Sequence, residues 1–400
     1  MKALRFERDI PRYAAATAAA RFKAGGGAKV GPLRLRDVDP PELPGRGWTY
    51  IKPRLSGICG SDLSTIDGHS SRYFEPIVSF PFVPGHEVVA DLADGDERVV
   101  LEPVLGCVAR GIDPTCVACA RGDLGNCERI AFSAIEPGLQ SGFCCDTGGG
   151  WSTLMVAHES QLHAVPDALG DDAAVMVEPT ACAVHGALRA GISDGDTVVV
   201  LGSGALGLLT IAAVRRYTPV GRLLAVAKHP VQRDLARQLG ADTVVAPDEV
   251  ARAVRRATGT LALGDGDIVR LTGGADHVID CVGREQSIEQ GLQVVKPGGR
   301  LTMVGMPGHV HVDLTGLWQR EVELVGAYAY GTETLTDGTR RRTFDLAFEL
   351  VEAADLGRLV SARYPLARYP DAIAHAANAG PRGAVRVAFD LTAEKERTRL

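Results

Sequence analysis

At 400 residues the chain is too long for one ordinary hydrophobic core, so two domains are expected. Apolar residues make up 46% and charged residues 23%, the balance of a water-soluble globular protein. The net charge of −6, with no Lys/Arg-rich run, argues against nucleic acid and anionic membranes as partners.

The N-terminus, MKALRFERDI, lacks an apolar stretch behind its basic start and carries Glu7 and Asp9. No signal or transit peptide is expected, and the protein is placed in the cytoplasm. There, nine cysteines point to metal or redox chemistry before disulfides. The Ala/Gly-biased tract Ala14–Ala28 reads as a surface insertion, part of it helical, with no function. The rest of the first hundred residues reads as short strands punctuated by Gly and Pro.

From Thr197 the texture changes. TVVVLG reads as a buried strand, ALGLLTIAAVRRY as a helix, RLLAVAK as a strand, VQRDLARQLG as a helix and ADTVVAP as a strand. ADHVIDCVG, a helical SIEQGLQVV, the turn KPGGR and the strand LTMVGMPG follow, closing near Gly326. Alternating strands and helices imply an α/β unit with a doubly wound parallel sheet covered on both faces. The uncharged run Thr197–Val214 is accordingly a strand, turn and helix, not a membrane span.

Within that block Gly202, Gly204 and Gly207 form G-x-G-x-x-G between a strand and a helix. This context marks a dinucleotide site. The glycines admit a pyrophosphate, and the N–H groups opening the helix at Ala205 and Leu206 face it. At the end of the next strand Ala227 stands where a carboxylate would bind the ribose 2′-OH, and Lys228, His229 and Arg233 follow. Without a carboxylate and with two permanent cations nearby, NADP(H) is favoured over NAD(H).

Cys59, His86 and Glu178 are sound zinc ligands by chemistry: a thiolate, an imidazole and a carboxylate. Their separations alone do not link them. The ordered set GICGSD, PGHE, VEPTACAVHGAL, GSGALG and VKPGGRLTMVG does, because it resembles the zinc-dependent medium-chain dehydrogenase/reductase family, which includes alcohol, polyol and threonine dehydrogenases.

That resemblance spans nearly the whole chain. It implies a mostly-β GroES-like catalytic domain over 1–182, a Rossmann cofactor domain over 183–326 and a segment 327–400 returning to the first domain, with the active site in the cleft between domains. It implies Cys59, His86 and Glu178 as catalytic zinc ligands, with Glu87 binding directly or exchanging with water. Asp62 orients His86, and Ser61 takes the substrate proton. Ser64 stands where many alcohol dehydrogenases carry a His that completes the proton path, and His69 reads as a surface residue. The family's cysteine lobe, here about 104–130, is matched by Cys107, Cys116, Cys119 and Cys127. The last three keep C-x2-C-x7-C, while ARGIDP widens the first gap and is expected to loop out. Structural zinc is favoured there over an empty lobe or a redox-active pair.

Cys144 and Cys145 read as packing or substrate-side residues. Cys182 is a backup ligand or a small buried residue, and Cys281 is core. His158, His163, His309 and His311 are given no role. Tyr73, Phe74, Trp151, Tyr328 and Tyr330 are placed on the substrate side. The implied function is hydride transfer between NADP(H) and a secondary or polar alcohol or its carbonyl, in a homodimer or homotetramer. Glu as third ligand tilts the substrate toward polyols. The alternatives are an NADPH-dependent C=C or iminium reductase and a non-catalytic nucleotide-binding protein.

Overall fold

The computed structural model describes residues 1–95, 97–264 and 269–395, so the last five residues of the expected C-terminal segment lie outside it. The chain divides into two compact units, Met1–Glu178 with the chain from Asp355 onward, and Pro179–Ala354.

The first unit is built on an antiparallel sheet around the long strand Trp48–Gly57. One side of that strand pairs with Val88–Leu92, followed outward by Arg98–Leu101 and Leu162–Ala164. The other carries Arg386–Asp390, which pairs in parallel with Val360–Tyr364. The last strand of the chain therefore rejoins the first domain beside Gly57. Phe82, Phe143, Trp151 and Phe389 fill the core next to Ile58.

The second unit is an all-parallel six-stranded sheet. Its spatial order is Thr243–Val245, Arg222–Val226, Thr197–Leu201, Ala275–Asp280, Val295–Met303 and Glu323–Gly326. The order reverses beside Thr197–Leu201, the place where open α/β sheets bind ligands. Val198, Val199, Val200 and Leu201 are all buried, as a strand covered on both faces requires. Burying each contributes roughly 1.5–3 kcal/mol. The run Thr197–Val214 splits into strand Thr197–Leu201 and helix Ala205–Tyr217. No helix among the described residues is long and apolar enough to cross a membrane.

Three readings change. Residues 327–354, expected in the first domain, belong to the second unit. The cause is helix Thr343–Ala353, whose Leu346 carbonyl accepts a hydrogen bond from the Tyr217 hydroxyl at 2.7 Å. KPGGR is not a separate turn. It bulges within strand Val295–Met303, where the pairing jumps from Ala275 opposite Val295 to His277 opposite Arg300. The Ala/Gly tract forms more helix than expected, Ile10–Phe22, started by Asp9 accepting from the Arg12 N–H.

Candidate active site

Cys59 ends the extended backbone beyond strand Trp48–Gly57 and is the N-cap of helix Gly60–Ile66. Its N–H donates to Asp62 Oδ2 at 2.9 Å. Asp62 Oδ1 faces His86 Nδ1 at 3.7 Å, which leaves Nε2 of that ring for other partners. Gly85, at φ +99°, turns the chain into His86; a Cβ there would lie 2.5 Å from Trp151 Cδ1. The donor atoms of Cys59, His86 and Glu87 lie within 4.8 Å of one another.

The cluster is dry and strongly charged. Asp62, His86 and Glu87 are all less than 5% exposed. Burial pushes the Asp62 carboxyl up to about 6, although His86 and the Cys59 N–H pull the other way. For His86, burial disfavours the charged ring, yet Asp62, Cys59 and Glu178 together hold it well above the ordinary imidazole range. Glu178, 4% exposed in the first turn of helix Val177–Arg189, stands outside the three clustered donors, but its charge reaches His86 and Arg386.

Sequence reasoning missed Arg386. It lies on the last strand, 299 residues from Glu87, and its Nη2 donates to Glu87 Oε1 while Nη1 donates to the Ile58 carbonyl at 3.0 Å. Burial works against that guanidinium, and Glu87, Cys59 and Glu178 more than offset it. One oxygen of Glu87 is thus taken. The other, Oε2, is buried without a hydrogen bond, as are Ser61 Oγ, Asp62 Oδ1 and His86 Nδ1. A Cβ on Gly57 would sit 1.9 Å from Glu87 Oε2, so only glycine leaves room for it. Unpaired buried oxygens cost free energy. A thiol, an imidazole and a carboxylate around such atoms fit a bound zinc ion.

The four lobe cysteines also converge, with their sulfurs within 4.8 Å of one another and Cys107 Sγ 3.7 Å from Cys127 Sγ. Backbone N–H groups of Cys116, Cys119 and Arg129 point at the sulfurs of Cys107, Cys116 and Cys127. Four thiols, three of them buried, fit a closed tetrahedral zinc site. The widened gap does not simply loop out. Arg110 within it is 1% exposed and donates to the carbonyls of Leu105, Phe132, Ile135, Glu136 and Gly138.

In the second unit Gly202, at φ +86°, opens the glycine turn, and Gly204 is the N-cap of helix Ala205–Tyr217. A Cβ on Gly207 would fall 1.8 Å from the Gly202 carbonyl oxygen. The turn can close only on glycine, which leaves the helix N–H groups for a pyrophosphate. Ala227, just past the end of strand Arg222–Val226, is 1% exposed. Lys228 is the first exposed side chain past the strand, His229 caps the next helix, and Arg233 Nε donates to the Ala227 carbonyl at 3.0 Å.

Two of the five aromatic residues expected on the substrate side are spent on packing. Trp151 is fully buried, with its indole N–H on the Gly57 carbonyl at 3.2 Å. Tyr330 is 2% exposed and packs edge-on against Phe344. Tyr73 is 80% exposed. Phe143, not singled out, lies against the His86 ring at 5.9 Å. His69 is exposed, and Cys182 is not among the clustered donors. His163, given no role, pairs with buried Glu102 at 2.6 Å.

Residues 45–167 match the alcohol dehydrogenase GroES-like domain, and residues 205–349 match the zinc-binding dehydrogenase family. The chain is 30% identical over 335 residues to the Arthroderma otae protein named "Probable D-xylulose reductase A", covering 81% of this chain and 85% of that one. It is 27% identical to L-idonate 5-dehydrogenase of Vitis vinifera, covering 90% and 93%. In fold it resembles a zinc-binding dehydrogenase of Sinorhizobium meliloti solved with NADP bound, with a TM-score of 0.69, 24% identity and coverage of 97% and 98%.

Proposed function

This chain belongs to the zinc-dependent medium-chain dehydrogenase/reductase family, and from that premise we propose that it moves hydride between NADP(H) and a polar secondary alcohol, of the polyol or sugar class, or the matching carbonyl. That it is an alcohol oxidoreductase using zinc and a nicotinamide cofactor follows from its relatives. The observation that carries the metal-assisted reading is the buried convergence of Cys59, His86 and Glu87, with Ser61 Oγ unpartnered beside them.

Cys59, His86 and Glu178 would hold the catalytic zinc, with Glu87 able to exchange onto it. Cys107, Cys116, Cys119 and Cys127 would hold a second, structural zinc. Bound at the first site, zinc supplies a Lewis acid that lowers the pKa of an alcohol and polarises a carbonyl. The nicotinamide supplies or accepts the hydride.

The chain's own residues do the rest. Asp62 fixes the His86 ring so that Nε2 faces the cluster. Arg386 holds one Glu87 oxygen, which leaves Oε2 free to turn to the cluster. Ser61, with its hydroxyl unspent, would accept a hydrogen bond from the alcohol and relay its proton, releasing its own hydroxyl proton onward to water as it does so. Gly204 and Ala205 present helix N–H groups to the pyrophosphate, and Lys228 and Arg233 pair with a 2′-phosphate. The names of the relatives, a xylulose reductase and an idonate dehydrogenase, support the polyol class. So does a carboxylate-rich donor set.

A panel of polyols, sugar acids, simple alcohols and their carbonyls, read by NADPH absorbance, tests the reading. A vicinal polyol or ketose is expected to give the highest kcat/KM, with deuteride from labelled NADPH on the carbinol carbon. Deuterium on the carbon of a reduced C=C or iminium bond would overturn it. Lys228→Asp is expected to move cofactor preference toward NAD about tenfold, by removing a cation and adding a 2′-OH acceptor. An unmoved preference contradicts the NADP assignment.

A further inference from the structure

The first two strands, Lys2–Phe6 and Leu33–Asp37, pair in register up to Phe6 opposite Leu33. A tight hairpin could join such strands with two residues. The chain spends residues 7–32 instead, and it docks them on the segment that leaves Cys59. Asp67, 6% exposed, ends helix Gly60–Ile66 and gives its two carboxylate oxygens to this excursion. Oδ2 accepts from the Gly25 N–H at 2.7 Å and Oδ1 from the Gly27 N–H at 3.0 Å.

The fit is close from both sides. A Cβ on Gly27 would lie 2.1 Å from the Ile66 carbonyl oxygen. Gly68, at φ +71°, leaves 2.2 Å between such an atom and Thr17 Oγ1, whose hydroxyl reaches the Gly68 carbonyl at 3.4 Å. Tyr13 and Ala28 of the excursion share one core cluster with Ile58, Leu63 and Ile66. Asn378 Nδ2 donates to the Ala24 carbonyl, so the excursion is also held from behind.

The helix it grips is short and starts at Cys59, with Ser61 and Asp62 in its first turn. Seven helical residues span only about 10 Å as a rigid rod. Whatever fixes its last residue therefore fixes the aim of its first turn. We propose that residues 7–32 are a brace for the catalytic turn and that Asp67 is its latch, a positioning residue acting on Cys59, Ser61 and Asp62 through helix Gly60–Ile66. This rests on the zinc site assigned above.

Linkage makes the claim testable on the unaltered protein. If the latch places the metal-binding turn, zinc must in turn steady the latch. Amide hydrogen exchange is followed in the zinc-loaded and chelated protein. Zinc is expected to slow exchange in peptides covering 57–62 and, by about threefold or more, in those covering 24–28. Protection of 57–62 without 24–28 overturns the brace and leaves the zinc reading standing. Protection of neither overturns both.

Asp67→Asn keeps the shape but turns one acceptor into a donor facing an N–H. With zinc content and cofactor affinity unchanged, kcat is expected to fall about tenfold while KM stays within about twofold. Gly27→Ala, which leaves residue 67 intact, is expected to do the same. A folded, zinc-replete variant with wild-type kcat contradicts a positioning role.

Discussion

The two cysteine-bearing clusters of the first unit solve opposite problems. The lobe gathers four like ligands within about twenty residues of sequence, and all four face one another. Backbone N–H groups point at its sulfurs, and nothing in the arrangement calls for a further ligand. The cluster at Cys59 mixes ligand types from separate elements and leaves buried oxygens of Ser61 and Glu87 unsatisfied. A closed set of thiols suits a metal that holds structure, and an open mixed set suits one that must accept substrate. The difference lies in what is left unpaired as much as in what binds.

The largest effect should come from breaking one ligand in each. Cys59→Ser is expected to lower kcat/KM by about 1,000-fold or more, the loss of roughly 4 kcal/mol of charge stabilisation, while leaving the thermal midpoint within a few degrees. Cys116→Ser is expected to do the reverse, losing one zinc and lowering the midpoint while the folded fraction keeps its kcat. Metal analysis with calorimetry reads both. If Cys116→Ser abolishes kcat in a folded protein, the contrast fails.

Arg110 sharpens the lobe's side. It is a buried cation whose hydrogen bonds all go to neutral carbonyls, and burial lowers its pKa. Zinc bound by four thiolates would carry two surplus negative charges and would supply that cation with a counter-charge. Arg110→Met is expected to cost about 3 kcal/mol in denaturant unfolding, because several buried carbonyls lose their donor. It should also speed zinc release to a chelator, with little change in kcat. Unchanged release contradicts the charge pairing.

Asp62→Asn probes the catalytic side more gently. Partners behind a metal-bound histidine typically matter by about 10–100-fold. The catalytic zinc should be bound that much more weakly, with lobe zinc untouched. Equal weakening of both zincs would contradict the assignment.

Much of this was legible in the sequence because it is local or ordered. G-x-G-x-x-G between strand and helix, and the order of the motifs from GICGSD to VKPGGRLTMVG, need no knowledge of packing. What could not be read depends on where side chains point once the chain folds. Arg386 meets Glu87 from the far end of the sequence, and no local pattern announces it. Ala227 and Lys228 are neighbours, yet only the fold shows that the first is buried and the second exposed. Trp151 looked like a pocket wall because aromatic residues serve both uses, and its indole is spent on the core. Arg110 sat in a gap that spacing alone marked as a loop, and its guanidinium turned inward to bind the carbonyls of 132–138. The composition of the Ala/Gly tract suggests no role, although Gly25 and Gly27 are the glycines that let it approach Asp67.

The central claim is a divalent ion seated among Cys59, His86 and a glutamate. Anomalous diffraction across the zinc absorption edge, from crystals of the zinc-replete protein, addresses it directly. The account predicts two peaks per chain, one bonded to Cys59 Sγ, His86 Nε2 and a carboxylate oxygen of Glu178 or Glu87, the other among the four lobe sulfurs. Density at the lobe alone, with Cys59 and His86 bonded to nothing, would contradict it.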